Sequence, residues 1–109
     1  MKIKKFLLIL ILSFLLNSQT SFADEAKMSK GLEIFNEVAG CAACHVLKAA
    51  GSEGNIGPNL DTVQGLSYES VMDIVTHGLG VMPAFGEDEI LTKEEIDIVS
   101  FYVANSVSK

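Results

Sequence analysis

Hydrophobic positions along this chain follow two different patterns. From Phe6 to Leu16 they run almost without a break, behind a basic start of Lys2, Lys4 and Lys5 and ahead of the small-residue stretch Ser21-Phe22-Ala23. That order matches an export leader cleaved after Ala23. Eleven residues at helical rise reach only about 16 Å, against a hydrocarbon core of about 30 Å, so a leader fits better than a membrane anchor. The leader has no cysteine, which argues against lipid attachment there.

Beyond Ala23 the apolar residues become intermittent and recur at helical spacing. The pattern predicts a first helix over Ser29 to Val38, with Leu32 and Phe35 on one face and Gly40 as its stop. A loop from Ala49 to Gly65 follows, carrying four glycines, Pro58 and two asparagines. Loops of that length without structure of their own are usually functional. A middle helix is expected after Ser67 as cap, with Val71, Met72, Ile74 and Val75 forming a buried stripe and Gly78 ending it. The last helix is announced by Thr92-Lys93-Glu94-Glu95, a capping box, and continues through Ile96, Val99, Tyr102 and Val103. No segment sustains the alternation of a strand, so the expected class is all-α.

Removal of residues 1–23 from the 109 leaves 86, one small domain, expected over 24–109. A chain that short buries too little apolar surface for comfort, and disulfides, metals or a cofactor commonly supply the rest. The full chain carries a formal charge of −6; without Lys2, Lys4 and Lys5 it keeps five basic residues against fourteen acidic ones, net −9. Such a surface repels nucleic acid and anionic lipid and favours basic protein patches. No nucleic-acid partner and no stable membrane insertion after leader removal are therefore expected.

Chemistry concentrates in Cys41-Ala42-Ala43-Cys44-His45, which holds both cysteines of the chain. That spacing attaches a c-type haem. Two thiols on one turn can add to the two vinyl groups of a porphyrin edge, and the adjacent imidazole then faces iron. Three other readings stay open on the residues alone. A disulfide would close a loop too short to constrain the unfolded chain much. A thioredoxin-like pair would need a βαβ setting, and none is visible. A zinc site would recruit Cys41, Cys44 and His45 or His77 without the usual spaced pairs.

The chain beyond the leader resembles the class I c-type cytochromes nearly end to end. The resemblance is carried by Gly31 to Phe35, by Cys41 to His45, by Gly57-Pro58-Asn59-Leu60, by Met82-Pro83-Ala84-Phe85, and by Leu91 to Val103 with its aromatic Tyr102. It implies a small cytochrome c fold, three to five helices wrapped around one haem c bound through Cys41 and Cys44. It further implies His45 as proximal and Met82 as distal iron ligand, Pro58 as acceptor of a hydrogen bond from His45, and Leu60 and Phe85 packed on the porphyrin. Gly31, Phe35 and Tyr102 would lock the terminal helices. Met72 reads as a core gap-filler, Met28 comes too early, and His77 is the other imidazole available as distal ligand.

With iron held on both sides, the implied function is one-electron carriage between redox proteins in the periplasm, by a carrier and not an enzyme. Donor and acceptor would be proteins such as a dehydrogenase, a cytochrome complex or a terminal oxidase, with the chain a monomer or a subunit of a small complex. The alternatives are a haem c subunit of a periplasmic dehydrogenase, for example a sulfite- or thiosulfate-oxidising one, a photosynthetic carrier, and a gas-binding haem sensor. Glu87, Asp88 and Glu89, with Glu94, Glu95 and Asp97 nearby, are a candidate docking surface.

Overall fold

The computed structural model describes residues 2–107, and its side-chain detail leaves out 11–21. Three α-helices make up most of it: α1 (Lys2–Glu33), α2 (Tyr68–His77) and α3 (Lys93–Ser106). α1 continues into a wider π turn, Ile34–Val38, and Gly40 then ends the helical path in a left-handed conformation (φ 69°). Between α1 and α2 lie two short 3-10 turns, Cys41–Ala43 and Lys48–Ala50, and a two-residue antiparallel hairpin of β1 (Val46–Leu47) and β2 (Ser52–Glu53). The all-α class holds, with that hairpin as its one small departure among the described residues.

Caps explain the two later helices. Ser67 accepts from the Ser70 backbone N–H while Ser70 Oγ accepts from the Ser67 N–H, and Gly78 closes α2. Thr92 and Glu95 make the same reciprocal pair at the start of α3. Each box satisfies two backbone donors that a helix start leaves unpaired.

The core gathers Ile34 and Phe35, Leu47 from β1, Val71 and Val75 from α2, Phe85 and Leu91, and Ile96, Val99, Tyr102 and Val103 from α3. α1 and α3 cross at Gly31. A Cβ there would stand 2.2 Å from the Tyr102 Cβ, so only glycine lets the two backbones approach this closely. The Phe35 and Tyr102 rings meet beside the crossing, centroids 6.0 Å apart and tilted 56°. This geometry corrects the expected face of the first helix. Gly31 must point at α3, so the buried positions are 31, 34 and 35, and Leu32 turns to the flank, where it is exposed. The stripe on α2 is likewise narrower than expected: Val71 and Val75 are buried, Met72 and Ile74 only half so.

The first helix also starts far earlier than Ser29. α1 includes the expected leader, and residues 11–21 of that leader lie outside the side-chain description. Ile3, Phe6, Leu7, Leu8, Ile9 and Leu10 are all exposed on its N-terminal part. The Cα radius of gyration is 18.4 Å, against about 13 Å for a compact chain of this length. Among the described residues no helix is long and apolar enough to cross a membrane.

A polar tie joins all three helices. Tyr68 of α2 donates its hydroxyl proton to Asp97 Oδ1 of α3, and Lys27 Nζ of α1 lies 3.0 Å from Asp97 Oδ2 and 4.7 Å from the Phe101 ring centroid. The Tyr68 bond, and after it Lys27, hold the Asp97 carboxyl below its ordinary range. A carboxylate so depressed stabilises the fold above its unfolded pKa of about 3.9 and stops doing so as pH falls through the lowered native value. The pair is partly exposed, so its worth is that of a surface tie. Asp97→Asn should lower the thermal midpoint at pH 7 by on the order of 1–5 °C. The gap between the two melting curves should narrow as pH falls below the ordinary carboxylate range and the native carboxyl begins to take up its proton; a gap that does not change with pH would remove the carboxylate from the account.

Candidate functional site

The segment from Gly40 to His45 is wound into one tight turn. The Ala43 N–H donates to Gly40 O at 3.0 Å, and Cys41 O accepts from both Cys44 N (3.1 Å) and His45 N (2.9 Å). Cys41 and Cys44 therefore sit on a single turn with His45 at its exit, and both thiols are free. Burial pushes the Cys41 thiol up to about 11, so it stays protonated. A thiol that stays protonated is a poor redox nucleophile. Among the described residues no three His, Cys, Asp or Glu side chains are grouped to hold a metal ion.

The loop expected over Ala49 to Gly65 is structured, and it serves His45. The chain turns at Lys48–Ala50 and Gly51, returns as β2, and passes so close to the cysteine turn that a Cβ on Gly54 would stand 2.7 Å from Ala42 O. The Gly57 N–H donates to Cys44 O at 2.7 Å, and the Leu60 N–H to Val46 O at 3.0 Å. A Cβ on Gly57 would lie 2.5 Å from His45 Cε1, so the missing side chain is the space the imidazole occupies. Pro58 O then lies 2.8 Å from His45 Nδ1. A carbonyl can only accept, so Nδ1 carries a proton, and in the neutral ring that tautomer leaves the lone pair on Nε2. No protein group bonds to Nε2 among the described residues.

Met82 is carried by a second loop, pinned to the end of α2. Gly78 opens it at φ +76°, and a Cβ there would meet Met82 O at 2.7 Å. Met82 N donates to Leu79 O at 3.1 Å, Phe85 N to Val75 O at 2.9 Å, and Gly86 N and Glu87 N to Thr76 O at 3.2 and 3.1 Å. Phe85 is part of the core itself, and Cys41, Leu60, Met72 and Met82 all pack against the same cluster. His77 is elsewhere engaged: its Nδ1 lies 2.5 Å from Glu87 Oε1 and its Nε2 3.6 Å from Asp73 Oδ1, on the exposed end of α2. The Glu87 hydrogen bond, followed by the nearby acidic charges, raises its pKa.

The residues fit a covalently held haem. Two thiols share a turn, the adjoining imidazole is held at Nδ1 by a backbone carbonyl, glycine clears the room its ring needs, and a thioether sits in a close-wrapped loop against the same core. This fold and donor set define a small single-haem c-type cytochrome. The chain belongs to the cytochrome c family: the family described as cytochrome c oxidase, cbb3-type, subunit III, matches residues 26–103. It is 33% identical over 100 residues to the chloroplastic cytochrome c6 of Chlamydomonas reinhardtii, covering 84% of this chain but only 62% of that protein's length. Against cytochrome c6 of Gloeothece citriformis (strain PCC 7424) it is 34% identical over 94 residues, 82% of this chain and 78% of that one. The crystal structure of the c-type cytochrome SorU from Sinorhizobium meliloti superposes with a TM-score of 0.70 at 45% identity, covering 78% of this chain and 95% of the other.

Two contributors to the site had not been singled out in the sequence. Gly54 sits among ordinary turn residues, where nothing marks its close approach. Ser52 has no motif around it. Gly57 was visible only as the neighbour of Pro58. Because its Cβ would invade the His45 ring, Gly57→Ala should destabilise the protein by about 1–3 kcal/mol, the usual cost of overpacking. Denaturant unfolding of the two proteins measures it, and equal stabilities would show that the ring has room to move.

Proposed function

We propose that His45 and Met82 are the two axial ligands of the haem iron, and that the protein is a one-electron carrier working between redox proteins in the periplasm. The observation that carries this reading is the 2.8 Å bond from His45 Nδ1 to Pro58 O, which fixes the tautomer and aims Nε2 outward. Bound haem supplies one-electron gain and loss at its iron. The chain's own residues do the remainder: Cys41 and Cys44 make the cofactor part of the polypeptide, and Leu60 and Phe85 shield it from water. His45 and Met82 would hold the iron, and with both bound the protein would have no use for oxygen or a small substrate as ligand. Ligation by histidine and a methionine thioether would raise the potential of a bound haem.

The export leader and its removal after Ala23 belong to the same reading. They are supported by the six apolar side chains exposed between Ile3 and Leu10, which water would not tolerate on a freely soluble protein. Donor and acceptor would dock briefly, since electron-transfer encounters bury little surface. The acidic surface that would steer them is smaller than the six candidates suggested. Glu87 is tied to His77, Glu95 caps α3, and Asp97 holds Tyr68 and Lys27. Asp88, Glu89 and Glu94 remain exposed and face solvent.

Sulfur on ferric iron gives a weak absorption band near the red end of the spectrum. Met82→Ala should abolish that band and let carbon monoxide bind the reduced protein rapidly, while the parent protein stays indifferent to the gas. A band that survives the substitution would sink the ligand assignment, and rapid binding of the gas by the parent would favour a sensor.

A further inference from the structure

Ser52 is one of two buried polar side chains among the described residues, at 7% exposure. Gly51, at φ +66°, turns the chain back after Lys48–Ala50 and sets Ser52 opposite Leu47 in the hairpin. A two-residue ladder has little stability of its own. The hydroxyl reinforces it from the side: Ser52 Oγ accepts from the Leu47 N–H at 2.9 Å and donates to His45 O at 2.9 Å. Leu47 O is a longer alternative acceptor at 3.3 Å, and a single hydroxyl proton serves one acceptor at a time.

The segment 52–58 therefore grips His45 at three points. Gly57 N–H holds the carbonyl before it, Ser52 Oγ holds its own carbonyl, and Pro58 O holds its ring. Two of these three partners are backbone atoms. The third is a side chain, so substitution can delete it without rewriting the path of the chain.

We propose that Ser52 is a positioning residue for His45: by fixing the His45 peptide plane, its hydroxyl aims the imidazole Nδ1–H at Pro58 O and so sets how strongly Nε2 donates to iron. This rests on His45 being an iron ligand. A stronger bond at Nδ1 makes the ring more basic and favours ferric iron. Loosening that bond should raise the reduction potential.

The test uses the native holoprotein with Ser52→Ala and Ser52→Thr, the second of which keeps the hydroxyl. In the reduced form, nitrogen-15 NMR follows solvent exchange of the His45 Nδ1 proton and of the Leu47 amide, and redox titration gives the potential. Ser52→Ala should speed exchange at Nδ1 about tenfold, the loss expected for one hydrogen bond, and raise the potential. Ser52→Thr should return both toward the parent values. Faster exchange at the Leu47 amide alone, with Nδ1 and the potential unmoved, would confine Ser52 to the hairpin and overturn the proposal. So would a shift that threonine does not reverse. Should the alanine protein not fold, Ser52→Cys, a weaker donor of similar size, must still shift the potential upward; no shift would overturn the idea equally. A parent protein without covalent haem would instead defeat the ligand assignment, so the two failures are distinguishable.

Discussion

The hydrogen bond between the His45 ring and the Pro58 carbonyl constrains more of this structure than any other single contact. It requires the chain to double back within thirteen residues and bring a backbone oxygen to 2.8 Å from an imidazole. Gly51 supplies the reversal, Gly54 lets the returning strand pass against the cysteine turn, and Gly57 leaves room for the ring. Proline suits the final position because its missing N–H costs nothing there, while its carbonyl is free to accept. A bond of this kind at Nδ1 fixes the orientation of the imidazole ring within the loop.

The two loops are held in different ways, and the difference suits their roles. The His45 loop is laced to itself by short-range bonds and by Ser52. The Met82 loop is hung from the end of α2, where Val75 O and Thr76 O each accept from its backbone, and Phe85 anchors it in the core. Both loops are carried by helices that meet at α3, and α3 in turn is fixed against α1 at the Gly31 crossing. A haem bonded to one loop and capped from the other would tie the two loops together. A chain with so small a core gains from such a bridge.

Local chemistry made much of this legible in advance. Thr92 with Glu95, and Ser67 with Gly78, mark the bounds of α3 and α2 because caps depend on a few adjacent residues. The Cys41 to His45 turn and the partnership of His45 with Pro58 were likewise readable, the first from spacing and the second from family resemblance. What sequence did not disclose depends on long-range geometry. Leu32 looked buried until the Gly31 crossing set the roll of α1. Residues 49–65 looked like plain loop, because a two-residue hairpin offers no alternation to detect. Ser52 and Gly54 act through neighbours that only the fold brings near, and the engagement of Glu87, Glu95 and Asp97 in local ties was hidden inside what read as an open acidic surface.

The most direct test of the whole account is the absorption spectrum of the reduced native protein in alkaline pyridine. Haem joined by two thioethers should appear, one per chain, and should remain with the polypeptide after acid-acetone extraction. Haem that washes out, or a colourless protein with two free thiols, would contradict it.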